Sequence, residues 1–136
     1  MESQRSVREK GGSMRLGSYP CSLQEGTKIR EIYAASDIEE RHRHRFEFNN
    51  KYREVLAKSG LIISGLSPDK ELVETVEIAN HPWFIGVQYH PEFESSPIKP
   101  HPLFESMIEA ALAFSDSKGE PSVYKVKVLP SKKKSS

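Results

Sequence analysis

Between Trp83 and Tyr89 the chain reads WFIGVQY, apolar except at Gly86 and Gln88. A run this short is too brief for a buried helix and suits a strand covered on both faces. The spacing therefore predicts a buried central strand, and the chain must supply layers to cover it. Three amphipathic stretches are available. Lys28 to Ala35 places Ile29, Ile32 and Tyr33 on one helical face. Lys51 to Ser59 does the same with Tyr52, Val55 and Leu56, with Asn49-Asn50 ahead of it as a cap and Gly60 at its end. Leu103 to Phe114 carries the longest stripe, through Phe104, Met107, Ile108, Ala111 and Leu112.

The remaining elements read as strands. Met14 to Ser18 is a short one, with Pro20 expected to break it. Glu40 to Phe48 alternates, with Arg41, Arg43 and Arg45 on one side and His42, His44, Phe46 and Phe48 on the other. Leu61–Leu66 and Leu72–Ile78 flank Ser67-Pro68-Asp69-Lys70, a turn sequence with Pro at its second position. The order strand, helix, strand, helix, hairpin, strand, helix is that of an α/β protein. For 136 residues the core is thin. A central strand with so little cover is the first sign of a fold completed by more chain.

Charge separates the ends from the body. Residues 118–136 hold six lysines against one glutamate, a net of +5; the other residues hold 14 basic and 18 acidic groups, a net of −4. The expected organisation is a leader or broken loop over 1–13, an ordered unit over 14–115 and a basic, disordered tail over 116–136. No apolar run reaches the roughly 18 residues of a membrane helix, and the N-terminus has no apolar signal core. A cytoplasmic protein without a membrane or nucleic-acid partner is expected. One cysteine, Cys21, leaves no internal disulfide and no multi-cysteine metal site.

The sharpest chemical feature is Gln88-Tyr89-His90-Pro91-Glu92. A strand ends and presents a histidine, then a carboxylate two residues on, with a proline stiffening the backbone between them. An imidazole oriented by a carboxylate is the back half of a nucleophilic triad. Spacing alone leaves this open, because His-x-Glu also arises by chance in exposed loops.

Longer motifs carry a resemblance. WFIGVQYHPEF followed by PIKPHPLF looks like the C-terminal end of a class I glutamine amidotransferase domain. GGSMRLGSYPC, ERHRHRFEFNN and LVETVEIANHPWFIGVQYHPEFESSPIKPHPLF together resemble the CTP synthase family, over roughly residues 1 to 114. Ser13 stands where the family usually has Thr. The resemblance implies the C-terminal portion of a flavodoxin-like α/β glutaminase domain with a mixed sheet, incomplete in this chain. It implies His90 as the catalytic histidine, Glu92 as its orienting carboxylate and Arg45 as the arginine that contacts substrate glutamine. A guanidinium forks onto a carboxylate such as that of glutamine. The implied parent reaction is the ATP-dependent amination of UTP to CTP, with glutamine as ammonia donor.

The same resemblance marks what this sequence lacks. The family's nucleophile is a cysteine on a Gly-rich strand-to-helix elbow, and no such elbow is present. Cys21, in SYPCSL, matches a stretch without a catalytic role and reads as a small buried side chain. No G-x-x-x-x-G-K-[ST] loop appears, so no cofactor is expected in this segment. ATP and Mg would belong to the parent enzyme's synthase part. The expected partners are glutamine and the remainder of a synthase chain or its subunits, in a homo-oligomeric parent. The isolated chain is expected to be inactive.

Three rivals come from other classes. A nucleic-acid module would use Arg41, Arg43, Arg45 and Lys132 to Lys134, but the acidic body argues against it. A metal site from His81, His90, Glu92 and His101 fails if the strand is real. His81 and His90 would then lie at opposite strand ends, about 25 Å apart. A non-catalytic interaction fragment, associating with intact synthase subunits, would exploit the exposed face of a half domain.

Overall fold

The computed structural model describes residues 14–118. The expected leader, 1–13, lies outside them, as does the tail beyond Lys118. The last helix carries on through Ser117, just past the predicted boundary.

The elements are β1 (Arg15–Leu23), α1 (Lys28–Tyr33), β2 (Asp37–His44), α2 (Arg53–Lys58), β3 (Leu61–Leu66), β4 (Val73–Ile78), β5 (Ile85–Val87) and α3 (Pro102–Ser117). Short 3-10 turns at Asn50–Tyr52 and Pro91–Glu94 precede α2 and follow β5. The sheet order is β2-β1-β3-β4-β5. The α/β class holds. The expected mixed sheet does not, because every neighbouring pair is antiparallel. A parallel pair needs a crossover of a dozen or more residues between neighbours. That rules out a parallel β3–β4 pair, joined by a tight turn, and a parallel β4–β5 pair, joined by a short loop; β1 and β2 pair antiparallel even with residues 24–36 and α1 between them.

Pro20 does not end β1. The strand runs through it, with Pro20 opposite Glu39 of β2. On its other side β1 meets β3 only at Ser22 and Leu23. Over the earlier residues that side has no ladder, so the missing N–H of proline need not cost a hydrogen bond. The separation of β1 from β3 at this end opens the sheet and curls it.

The apolar run Trp83–Tyr89 is also corrected. Its regular part is only Ile85–Val87, paired with β4 and half-buried, at the end of the sheet order. Beyond it the chain crosses the curl. Gln88 N–H donates to Glu74 O (2.9 Å) on β4, and His90 N–H donates to Arg41 O (2.9 Å) on β2. The segment thus stitches the two sides of the opened sheet together, and this fixes where His90 stands.

The small apolar core gathers Cys21, Leu23, Ile29, Tyr89 and Leu103, flanked by Ile32, Tyr33, Ile38, Trp83, Ile85 and Val87. Helix α1 is anchored by an acid from the sheet. Its first amides, Lys28 N–H and Ile29 N–H, donate to the two Glu77 carboxylate oxygens at 2.9 and 3.2 Å. Thr27, the expected cap residue, turns its hydroxyl to Gln24 O instead (2.6 Å). Helix α3 begins with Pro102 in its first turn and with the His101 ring accepting from Leu103 N–H (3.2 Å). Trp83 Nε1–H donates to Ser106 Oγ (2.8 Å) and ties α3 to the approach of β5.

Gly65, at a bulge in the β3–β4 register, is needed for its lack of a side chain. A Cβ there would lie 2.5 Å from Thr75 Oγ1 and 2.8 Å from Cys21 Sγ, both in the packed centre. Gly65→Ala is expected to destabilise the fold by about 1–3 kcal/mol, the usual range for overpacking. A urea titration with an unchanged midpoint would contradict that packing.

Candidate functional site

His90 stands at the start of the 3-10 turn Pro91–Glu94, where the backbone leaves the sheet. Its Nδ1 lies 2.7 Å from Glu92 Oε1. A carboxylate can only accept, so Nδ1–H donates and Nε2 keeps the lone pair. That is the tautomer a general base needs. The His90 ring also stacks on Phe93, with centroids 5.1 Å apart and planes 18° apart. Ring, carboxylate and backbone are therefore each held by a separate contact. Both side chains reach solvent, at 37% exposure for His90 and 55% for Glu92. The hydrogen bond from His90 holds the Glu92 carboxyl below its ordinary value, so it is ionised at neutral pH.

Arg45 is placed differently. It lies in the bend just after β2 and is exposed. Among the described residues, no hydrogen bond or ion pair joins it to His90 or Glu92. The connection runs through β2, because His90 is bonded to the backbone of Arg41, four residues before Arg45. Along an extended chain that is about 13 Å. The structure thus brings His90 and Glu92 together and leaves Arg45 apart, at the end of the neighbouring strand.

Cys21 is fully buried, and burial pushes its thiol up to about 12. It is neither reachable nor ionisable near neutral pH, so it cannot serve as nucleophile for His90. His101, weighed above as a metal ligand, is also buried and bonded. Its Nδ1 accepts from Leu103 N–H, so Nε2–H donates to Glu40 Oε1 (2.8 Å). Tyr33 donates to the same oxygen (2.6 Å), and Tyr89 lies 3.0 Å from Tyr33 through their hydroxyls. This buried cluster sits directly under Tyr89-His90. Burial pushes both phenols up, so they stay neutral donors.

A second buried cluster underlies β2. Arg15 Nη2 donates to Glu74 Oε1 at 2.6 Å, and its Nη1 lies 3.4 Å from Glu47. The Arg15 guanidinium also covers the Tyr19 ring at 4.5 Å. Sequence reading missed both clusters. Their partners are distant in sequence, 59 residues apart for Arg15 and Glu74 and 61 for Glu40 and His101. The available hint was Glu74 and Glu77, two acids inside an otherwise apolar strand.

Residues 2–110 match the family described as glutamine amidotransferase class-I. A CTP synthase of Pelobacter propionicus is 63% identical over 118 residues, 87% of this chain and 22% of that protein. A CTP synthase of Chloroflexus aggregans is 60% identical over 111 residues, 82% of this chain and 20% of that protein. The chain thus spans about a fifth of the length of these relatives. Among solved structures, the glutaminase domain of Trypanosoma brucei CTPS with bound acivicin superposes with a TM-score of 0.73 at 32% identity, over 90% of this chain and 46% of that one. On the family match and these likenesses, the chain belongs to the class-I glutamine amidotransferase family, and the relatives it resembles here are CTP synthases.

Proposed function

We propose that this segment supplies the base, its orienting carboxylate and the substrate clamp of a glutaminase site that delivers ammonia for the conversion of UTP to CTP. The observation that carries the reading is the 2.7 Å His90–Glu92 contact, which leaves Nε2 bare at the partly exposed start of the 3-10 turn. His90 would take the proton of a cysteine thiol as the thiolate attacks the glutamine amide carbon. The proton then goes to the departing ammonia, and His90 next activates the water that hydrolyses the thioester. Glu92 stabilises the imidazolium in between. Arg45 would fork onto the free carboxylate of glutamine. With Cys21 buried, the nucleophile must come from sequence beyond this chain, and the chain by itself is expected to release no ammonia.

ATP and Mg would be used by the parent reaction, and no residue of 14–118 is assigned to either. Among the described residues no group of three His, Cys, Asp or Glu side chains could hold a metal ion, and the sequence has no phosphate loop. Their chemistry would lie with another part of the synthase.

The test is to graft this segment into the Pelobacter propionicus relative in place of its own and measure ammonia release from glutamine. Activity lost on His90→Ala supports the reading. A folded graft whose activity ignores that change would refute it. A second reading, an interaction fragment that docks on intact synthase subunits, is favoured by an apolar groove of about 500 Å³ lined by Pro82, Trp83, Phe84, Met107, Ala111 and Phe114. None of the three site residues lines it. Failure of the chain to pull down a synthase subunit would count against docking.

A further inference from the structure

The alternation of Arg41-His42-Arg43-His44-Arg45 sends the arginines outward and the histidines toward the opened interior of the sheet. The two histidines form a directed hydrogen-bond chain. His44 Nδ1 lies 3.0 Å from the Phe46 carbonyl oxygen, which can only accept, so His44 Nδ1 carries a hydrogen. In neutral His44 the Nε2 atom is then bare. His42 Nδ1, 2.9 Å away, must donate to it. His42 is fully buried between the Tyr19 and Tyr89 rings, whose centroids lie 5.4 and 5.9 Å from its own. Its remaining nitrogen, Nε2, faces Glu74 Oε2 at 3.8 Å, and neither atom has a hydrogen-bond partner. The charged groups around the chain are Arg15 from β1, Glu74 from β4 and Glu47 from the bend. Glu47 lies 3.7 Å from His44 Nδ1 and 3.4 Å from Arg15.

The chain ends on the Phe46 carbonyl, in the peptide that follows the residue after Arg45. The bend has no ladder partner of its own, since β2 closes at His44. Its backbone is held instead by the His44 bond to the Phe46 carbonyl, and the Glu47 side chain just beyond it is held by Arg15. Behind the first anchor stands buried His42, whose Nε2 faces Glu74 without a hydrogen bond; behind the second, Arg15 donates to Glu74. We propose that His42 and His44, with Arg15 and Glu74 behind them, are positioning residues that fix the bend presenting the Arg45 guanidinium to the substrate carboxylate. The proposal rests on the reading of Arg45 as the glutamine clamp. It gives the inward histidines of this strand a part in substrate affinity rather than in proton transfer to the reacting atoms.

The test uses the grafted full-length synthase, with L-glutamine as the varied substrate. Synthesis driven by added ammonia reports whether the rest of the enzyme is intact. His44→Ala is expected to raise the glutamine KM by roughly tenfold or more while kcat changes by less than about threefold, the pattern of lost uniform binding. His44→Asn keeps an N–H donor near the Nδ1 position and is expected to restore most of the affinity. An unchanged KM in His44→Ala would overturn the proposal. So would kcat and ammonia-driven synthesis falling in step with affinity, which is the mark of a merely structural role. Arg45→Met separates the two layers. If it leaves KM unchanged, the clamp reading itself fails. If it raises KM and His44→Ala does not, only the positioning inference fails.

Discussion

In the grafted synthase, His90→Ala is expected to lower glutamine hydrolysis by on the order of 10⁴-fold or more, with ammonia-driven synthesis retained. The magnitude follows from what the imidazole does. In serine hydrolases the loss of the base costs on the order of 10⁶-fold. A cysteine is less dependent, because a few per cent is already thiolate at neutral pH. Among the described residues in contact with His90, none can take over its second expected role, protonating the departing ammonia. Phe93 stacks on the ring and Glu92 is ionised. Glu92→Gln is milder, on the order of 10²-fold, short of the roughly 10⁴-fold seen where the orienting acid is buried. The Glu92 side chain is 55% exposed, so water can replace part of its effect. Ammonia release by a rapid coupled assay checks both values. A His90→Ala rate within tenfold of the parent contradicts the assignment.

The second large effect is on stability. Glu74→Ala removes the nearer partner of buried Arg15, leaving it Glu47 at 3.4 Å, and is expected to cost about 3 kcal/mol, the lower end of the range for breaking a buried pair. Glu74→Gln is expected to cost far less. Burial pushes the Glu74 carboxyl above its ordinary value, against the opposing hydrogen bond from Arg15. A proton on Oε2 would relieve its confrontation with the bare His42 nitrogen. A glutamine amide reproduces that state, with its oxygen for Arg15 and its N–H toward His42. Urea midpoints of the two variants decide the matter. Equal, large losses would mean that Glu74 works as an anion.

His42 gives this cluster a pH signature. Burial, and then the Arg15 charge, depress it to about 3. The unfolded chain takes up a proton on this histidine near pH 6.5, while the folded chain refuses it until far lower. Between those values the unfolded state binds more protons, so stability falls as pH drops through that window. Glu74 opposes this. Its raised folded value contributes stability at low pH that is lost as pH rises through it. His42→Gln is expected to flatten the acid limb of a stability–pH curve; an unaltered limb would place the titration elsewhere.

Much of the architecture was legible in the sequence. The β3–β4 hairpin followed from its turn residues, and α3 from its apolar stripe. The His90–Glu92 pair stood out in the sequence as a His-x-Glu step, left open by its spacing and singled out only by the family resemblance. The family was legible in long motifs that no periodicity argument could supply. The errors have physical causes. Pro20 was read as a breaker because the sequence does not reveal that β1 lacks a partner on one side. The Trp83–Tyr89 run was read as a central strand because its apolarity does not show how little of it is paired. The polar interior was invisible for a third reason. Arg15, Glu40, Glu74 and His101 each look like surface residues until the fold brings their partners from the far end of the chain. The ten buried polar residues outnumber the six buried apolar ones among the described residues. Apolar pattern alone therefore describes the smaller part of what this fold encloses.

The most direct test of the central claim joins this chain to the remainder of the Pelobacter propionicus relative and follows ammonia release from glutamine. The account predicts no release from the chain by itself, release from the joined protein, and its loss on His90→Ala. Release from the chain alone, or a folded joined protein that is inactive with His90, Glu92 and Arg45 intact, would contradict it.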